Sequence, residues 1–226
     1  MTLFEKIDFL IFPPRCLCCG NILKYAPSNK TKLKDRYDFE CTCDKCAPFI
    51  GFENYLTKID EDVYCYSVFE YAKQPKSIII SLKFNGYRDT ALQLARILAH
   101  QIEFYTDTKS FDCITYVPSS FSKLRKRGFN QAELVAKYIG KLMDLPCEDL
   151  LKVNKKPDAQ HTLRLYERET NVKDAFKAKE SLDKKQILLI DDIVTTGNTL
   201  KSCARALKSA GAESVYCATV CKTLKR

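Results

Sequence analysis

A chain of 226 residues is long enough for one substantial core and a small appendage. Hydrophobic residues make up 46% of it and aromatics 11%, which excludes a disordered chain. The formal charge of +9 favours anionic partners, and nucleic acid, nucleotides and a membrane surface all qualify.

The first 14 residues mix acids with apolar side chains and carry no small-residue cleavage site, so they do not read as a secretion signal. Phe4, Ile7 and Ile11 recur at helical spacing and predict a short amphipathic helix stopped by Pro13. No segment reaches the apolar length that spans a bilayer. The expected location is cytoplasmic, where cysteines serve as metal ligands or reduced core residues more often than as disulfides.

Six of the 12 cysteines fall between Cys16 and Cys46, in two Cys-x-x-Cys pairs, Cys16/Cys19 and Cys43/Cys46. Two such knuckles supply the four soft ligands of a tetrahedral zinc ion without long-range chain tension, and Gly20 provides the left-handed residue that often follows the first pair. Cys18 and Cys41 are surplus, so Cys18 is an alternative to Cys19 and Cys41 to Cys43. A redox dithiol is the rival reading, but one pair would suffice for it. The insert between the pairs carries Lys24, Lys30, Lys32, Lys34 and Arg36 with Tyr25 and Tyr37. Such interleaving either holds a single-stranded nucleic acid, phosphates on cations and bases on rings, or is a solvated loop whose charge Asp35, Asp38 and Glu40 dilute. Cys65, Cys113, Cys147, Cys203, Cys217 and Cys221 lie mostly in apolar segments and read as small buried hydrophobes.

Beyond Gly51 the pattern alternates between strand and helix. Val63–Tyr71 reads as a strand, and Pro75 opens a helix through Ile78–Leu82 that Gly86 ends. Leu92, Ala95, Ile97, Leu98 and Ile102 mark a longer amphipathic helix. Cys113–Val117 is a buried strand closed by Pro118, followed by the basic turn Ser122–Asn130 and a helix through Leu134, Ile139 and Leu142. A strand over Gln186–Ile190, a helix from Thr199 to Ala210 stopped by Gly211, and a strand over Ser214–Cys221 complete the series. This alternation predicts an α/β fold with a mostly parallel sheet and flanking helices. The expected division is a cysteine-knuckle domain over residues 1–60 and an α/β domain over 61–226.

The strongest chemical signal is Gln186-Ile-Leu-Leu-Ile-Asp-Asp-Ile-Val-Thr-Thr-Gly-Asn-Thr-Leu200. Asp191 and Asp192 follow an apolar strand, at the sheet end where open α/β proteins bind ligands. Thr195, Thr196, Gly197, Asn198 and Thr199 wrap the start of the next helix, whose unpaired N–H groups and partial positive charge suit a phosphate. Neighbouring acids above a phosphate cradle suit vicinal sugar hydroxyls, and together they describe a ribose 5-phosphate site. One acid before a helix is usually only a cap; two acids with the whole threonine–glycine loop are harder to explain that way.

This run resembles the phosphoribosyl pyrophosphate (PRPP) motif of type I phosphoribosyltransferases. The chain as a whole resembles the ComF family, bacterial competence proteins that join a zinc knuckle to a phosphoribosyltransferase-like domain. The resemblance rests on Phe12-Pro-Pro-x-Cys-x-x-Cys19, Leu82-Lys-Phe-x-Gly86, Val117-Pro118, Arg127-Gly-Phe-Asn-Gln131, Gln160-x-x-Leu-x-x-x-x-Arg168 with Asn171-Val172, and the PRPP motif. Many members carry a third cysteine pair, whereas residues 49–55 here have none, which leaves one zinc site. The resemblance implies that Asp191 and Asp192 bind the ribose hydroxyls, that the threonine loop holds the 5-phosphate, and that Mg²⁺ bridges pyrophosphate and ribose. It places Val117–Ser120 at the pyrophosphate, with Lys123, Arg125, Lys126 and Arg127 as contacts to pyrophosphate or to a DNA phosphate. Lys83 is a further pyrophosphate candidate, and Arg168 and Asn171 lie in a segment that covers the site in transferases.

The oxopurine transferases use a carboxylate at the position of Thr195 as a proton relay, a role that threonine cannot take; the orotate enzymes lack that acid as well. Neither His100 nor His161 falls in a metal or nucleophile pattern. The expected function is a cytosolic DNA-uptake protein that binds single-stranded DNA beside a PRPP site, with structural zinc and the DNA-import machinery as a further partner. The alternative is an active phosphoribosyltransferase with an unidentified nitrogen nucleophile.

Overall fold

The computed structural model describes residues 16, 17, 19–22, 43, 45, 46, 54–84, 87–154 and 175–224. The expected amino-terminal helix, the basic insert with Lys24 to Arg36, Cys18, Cys41, Gly86, His161, Arg168 and Asn171 lie outside them. Lys83 lies in a described helix, but its side chain does not belong to the described part.

Strands β1 (Tyr55–Asp60) and β2 (Val63–Glu70) form a hairpin, followed by helices α1 (Lys73–Phe84) and α2 (Tyr87–Tyr105). Then come β3 (Cys113–Tyr116), α3 (Phe121–Arg127), α4 (Gln131–Met143), β4 (Leu151–Val153), β5 (Phe176–Ala178), β6 (Gln186–Val194), α5 (Asn198–Ser209) and β7 (Ser214–Lys222). The main sheet runs β1-β2-β7-β6-β3, and β4 pairs with β5 in a separate ribbon. β2/β7, β7/β6 and β6/β3 are parallel, and only the β1/β2 edge pair of this sheet is antiparallel. The expected class, an α/β fold around a mostly parallel sheet, is the observed one.

Alternate residues of β6 enter two different cores, as a strand covered on both faces requires. Leu188 and Ile190 join Ile79, Leu82, Leu94, Leu98, Val135 and Ile139 beneath α1, α2 and α4. Ile187 and Leu189 join Leu200, Cys203, Ala204 and Leu207 of α5 on the opposite face. The chain leaving β3 therefore covers one face and the chain leaving β6 the other. The gap between the carboxyl ends of β3 and β6 is the switch point at which such sheets open a ligand crevice.

The structure departs from the expected elements at four places. β1 is absent from the sequence reading, and the boundary expected at residue 60 falls in the turn of the hairpin it makes with β2. The basic turn contains the helix α3. The β4–β5 ribbon is a further element beyond the expected series. Finally, β6 does not stop at Ile190 but pairs with β7 as far as Val194↔Lys222, so Asp191 and Asp192 are strand residues. They are open on one side because β3 ends at Tyr116, the partner of Ile190. Among the described residues no helix is long and apolar enough to cross a membrane. Cys65, Cys113, Cys203, Cys217 and Cys221 are buried and Cys147 is half-buried, close to the expected placement.

Candidate functional site

The four cysteines expected to bind metal meet in one place. The sulfur atoms of Cys16, Cys19, Cys43 and Cys46 all lie within 4.8 Å of one another. The Sγ atoms of Cys19 and Cys43 are 3.7 Å apart, far beyond the bond length of a disulfide, about 2.05 Å. Tetrahedral zinc with Zn–S bonds of about 2.3 Å would set its sulfurs about 3.8 Å apart. The backbone is folded as a knuckle: the Gly20 N–H donates to the Cys16 carbonyl at 2.9 Å, with Gly20 at φ +73°, and the Cys46 N–H donates to the Cys43 carbonyl at 2.8 Å. The Cys43 N–H points at Cys16 Sγ over 3.3 Å, a contact that favours a thiolate. Donor chemistry and spacing both suit a metal ion, zinc above others. Leu17, between the first two ligands, belongs to the core under α1 and α2, so the knuckle is rooted in the larger fold.

At the open end of β6, Asp191 and Asp192 line a cleft of about 330 Å³. Facing them are Val117, Pro118, Ser119 and Ser120, which leave the end of β3, and the side chains of Lys123 and Arg127 on α3. Thr199 closes the cleft at the start of α5, and Val153 and Phe176 flank it from the β4–β5 ribbon. Anionic and cationic groups thus face each other across a space of small-molecule size.

The loop from β6 into α5 needs its glycine. Gly197 caps α5 at φ +80°, a left-handed conformation costly for other residues, and a Cβ there would sit 3.0 Å from Ile59 Cδ1. β1, unseen in the sequence, is therefore the floor under this turn. The same strand holds the helix: Asp60 accepts from Arg205 Nε at 2.7 Å and pairs with Lys201 at 2.9 Å. The bond from Arg205 holds the Asp60 carboxyl down to about 2. Thr195, Thr196 and Asn198 are exposed around the turn, and the Asn198 N–H leans on Thr196 Oγ1 over 3.5 Å.

The Arg127–Gln131 motif has a physical role at each of four positions. Gly128, at φ +80°, ends α3 by donating its N–H to the Leu124 carbonyl at 2.7 Å. Asn130 is buried and bridges two elements: its Oδ1 accepts from the Ala132 N–H to cap α4, and its Nδ2 donates to the Val117 carbonyl at 2.9 Å. The Val117 N–H in turn donates to the Ile190 carbonyl at 3.0 Å, so one chain of bonds runs from β6 through the loop to α4. Gln131 is buried; its Oε1 accepts from Arg127 at 3.3 Å, and its Nε2 has no partner among the described residues. Arg127 is thereby held towards the cleft, with an amide donor in reserve beside it.

Two acids next to each other at a half-buried position disfavour full ionisation. Loss of water around its carboxyl group and the neighbouring Asp192 raise Asp191 well above the ordinary carboxylate range. The Asp192 N–H, which donates to Asp191 Oδ1 at 2.8 Å, and the charge of Lys123 across the cleft pull the other way without cancelling this. The backbone bond fixes the carboxylate where a ligand's hydroxyl or a cation would relieve the repulsion.

Of the expected site residues, Asp191, Asp192, Thr199, Lys123 and Arg127 come together in the cleft, while Thr195, Thr196, Gly197, Asn198, Arg125 and Lys126 do not line it. Asn130, Gln131, Val153 and Phe176 also line the cleft, beyond the expected residues. Asn130 and Gln131 had a signal, a five-residue motif directly after a basic turn. Val153 and Phe176 had none, since two three-residue strands leave no usable pattern.

Residues 124–226 match the phosphoribosyl transferase domain model. The fold and this match define a phosphoribosyltransferase-type domain, here accompanied by a cluster of four cysteines. The curated relatives are bacterial. The chain is 28% identical over 162 residues to the DNA utilization protein YhgH of Escherichia coli, which spans 70% of this chain and 71% of that one. It is 28% identical over 221 residues to the competence protein ComFC of Streptococcus pneumoniae, covering 89% and 96%. To competence protein F of Haemophilus influenzae it is 29% identical over 150 residues, covering 63% and 66%. The chain is a homologue of these proteins, two of which are named as competence proteins, in keeping with the resemblance of its motifs.

Two outcomes follow from this geometry. Replacing Asn130 by alanine removes both a helix cap and a buried donor, at a cost of about 1–3 kcal/mol in urea unfolding. Asn130→Asp keeps the cap but leaves the Val117 carbonyl without its donor, so it should also unfold at lower urea than the native chain; native midpoints for both variants would contradict the bridge. Metal analysis of the purified chain should find one zinc per chain, lost in Cys16→Ser/Cys43→Ser. A double variant that retains stoichiometric zinc would show that other ligands hold the ion.

Proposed function

We propose that this chain is a cytoplasmic competence protein of the ComF type, which binds single-stranded DNA and holds PRPP in the cleft at the end of β6. The observation that carries the reading is the opposition within one cleft of Asp191 and Asp192 to Lys123 and Arg127, with the start of α5 closing the space between them. PRPP has the matching distribution of groups: vicinal hydroxyls for the acids, a 5-phosphate for the turn Thr195, Thr196, Gly197, Asn198 and Thr199, and a pyrophosphate for the cations. In this reading Val117–Ser120 approach the pyrophosphate, Lys83 and Arg168 are further phosphate contacts, and the chain has two domains, expected over residues 1–60 and 61–226, with the boundary moved ahead of Tyr55 so that β1 stays with its hairpin partner β2. The two half-buried acids also suit Mg²⁺, which when bound would neutralise pyrophosphate and ribose oxygens. The four cysteines hold structural zinc. The names of the relatives, together with the charge of +9, support DNA as the macromolecular partner and the DNA-import machinery as its setting.

A second reading, transfer of the phosphoribosyl group to a nitrogen nucleophile, is favoured by one feature. Val153 and the half-buried Phe176 give the cleft an apolar flank on which a flat acceptor ring could lie. In that case the chain supplies positioning and charge neutralisation, the nucleophile adds at the anomeric carbon, and pyrophosphate leaves with its electron pair. Thr195 brings no general base, so the acceptor must lose its proton elsewhere.

Calorimetry separates these outcomes. PRPP should bind more tightly with Mg²⁺ and lose its binding in Asp191→Asn/Asp192→Asn; unchanged affinity in that variant would reject the site. Single-strand affinity should fall steeply with salt, because each neutralised phosphate releases counterions. A flat salt response would reject DNA as partner. Pyrophosphate release that requires an added base or amine would establish the second reading.

A further inference from the structure

Helix α3 is unusual among the helices of this fold. Its seven residues, Phe-Ser-Lys-Leu-Arg-Lys-Arg, contain no acid and none is buried. A helix this short is unstable alone, and this one gains no stability from a buried apolar face. It is held at its two ends, by the Val117–Asn130 bond that closes the loop around it and by the Gly128 cap. Its faces divide cleanly at the helical period. Lys123 and Arg127, four residues apart, line the cleft. Phe121 and Arg125, four residues apart, lie on the opposite face with Leu124 to one side, whereas Lys126 is about 140° round the helix from Phe121, nearer to Lys123. On that face Phe121 is 75% exposed and Leu124 is 40% exposed. A ring left in water on a pinned helix, flanked by cations and with no carboxylate in the helix, suits a ligand that is a flat apolar surface and a string of negative charge at once.

We propose that this outer face of α3 is the base-stacking contact for single-stranded nucleic acid, with Phe121 under a base and Arg125 on an adjacent phosphate. The inference rests on the DNA-binding reading above and deepens it. The helix serves two ligands from opposite sides: Lys123 and Arg127 turn towards the phosphosugar, Phe121 and Arg125 towards the strand. Phosphosugar and strand then bind together instead of competing for the same cations. A protein partner with an acidic apolar surface is the rival occupant, and it would not distinguish a strand with bases from one without.

The chain has no tryptophan, so Phe121→Trp places a single reporter on this face. Its fluorescence should be quenched by a short oligothymidylate and not by an abasic strand of equal length at the same salt. Saturating PRPP should leave the quench in place. In Phe121→Ala, affinity for the oligonucleotide should drop about 5-fold to 100-fold with the salt slope unchanged. In Arg125→Gln the slope itself should fall by about 0.7. Because none of these side chains is buried, the variants should keep the native fold, which circular dichroism checks. If the native chain binds single strands but Phe121→Ala binds equally well and Phe121→Trp is not quenched, this face is not the stacking site although the DNA reading stands. If the native chain binds no single strand at low salt, both fail.

Discussion

Two neighbouring carboxylates held at the open end of a parallel strand are the constraint around which this molecule is arranged. Asp191 and Asp192 are the first two residues of β6 beyond the point where β3 stops pairing with it. The loss of water at Asp191, and then the repulsion from Asp192, disfavour the charged carboxylate when no ligand is bound. The surrounding structure holds it nonetheless. The Asp192 N–H fixes the Asp191 carboxylate, and β7 pairs with both sides of the motif, up to Val194↔Lys222. Such stored electrostatic strain is a common property of sites that bind a complementary group.

The cationic side of the cleft is arranged by different means. It comes from a short helix that has no core contacts and is held by its ends. Asn130 and Gln131 do most of this holding, the first by tying α4 to the β3 loop and the second by holding Arg127. A loop would leave Lys123 and Arg127 free to follow solvent; a helical turn makes them neighbours on one face. The same geometry puts Phe121 and Arg125 on the other face. β1 has a comparable supporting role on the acid side, since Ile59 lies under Gly197 and Asp60 receives Arg205 and Lys201 from α5.

Much of this was legible in the residues. The buried strand before Asp191, the threonine–glycine turn and the helix after it follow from apolar run length, a positive-φ glycine and helix periodicity, all local properties. The two cysteine pairs were legible as ligand pairs, because knuckle spacing is a local constraint too, although the surplus Cys18 and Cys41 left their register open. What was missed depends on tertiary placement. β1 reads Tyr-Leu-Thr-Lys-Ile-Asp, an edge strand exposed on alternate positions, whose identity comes from pairing with β2. α3 is rich in charge and has no apolar stripe facing inward, so periodicity could not find it. The β6 end point was placed four residues early because the acids look like a terminus, while the strand continues wherever β7 offers a partner. The apolar flank of the cleft, Val153 and Phe176, comes from a ribbon too short to carry a pattern.

The thermal stability of the native chain and of Asp191→Asn, each with and without PRPP and Mg²⁺, tests the central constraint most directly. A carboxyl raised above its unfolded value favours the fold at low pH, and that contribution is lost as pH rises through the folded-state value. At neutral pH, Asp191→Asn should therefore melt above the native chain, by roughly 2–4 °C for each kcal/mol of repulsion removed. The gap should close as the solution is acidified. PRPP should raise the melting temperature of the native chain and leave that of the variant in place. A variant that melts lower than the native chain at neutral pH, or that gains as much from PRPP, would contradict the account.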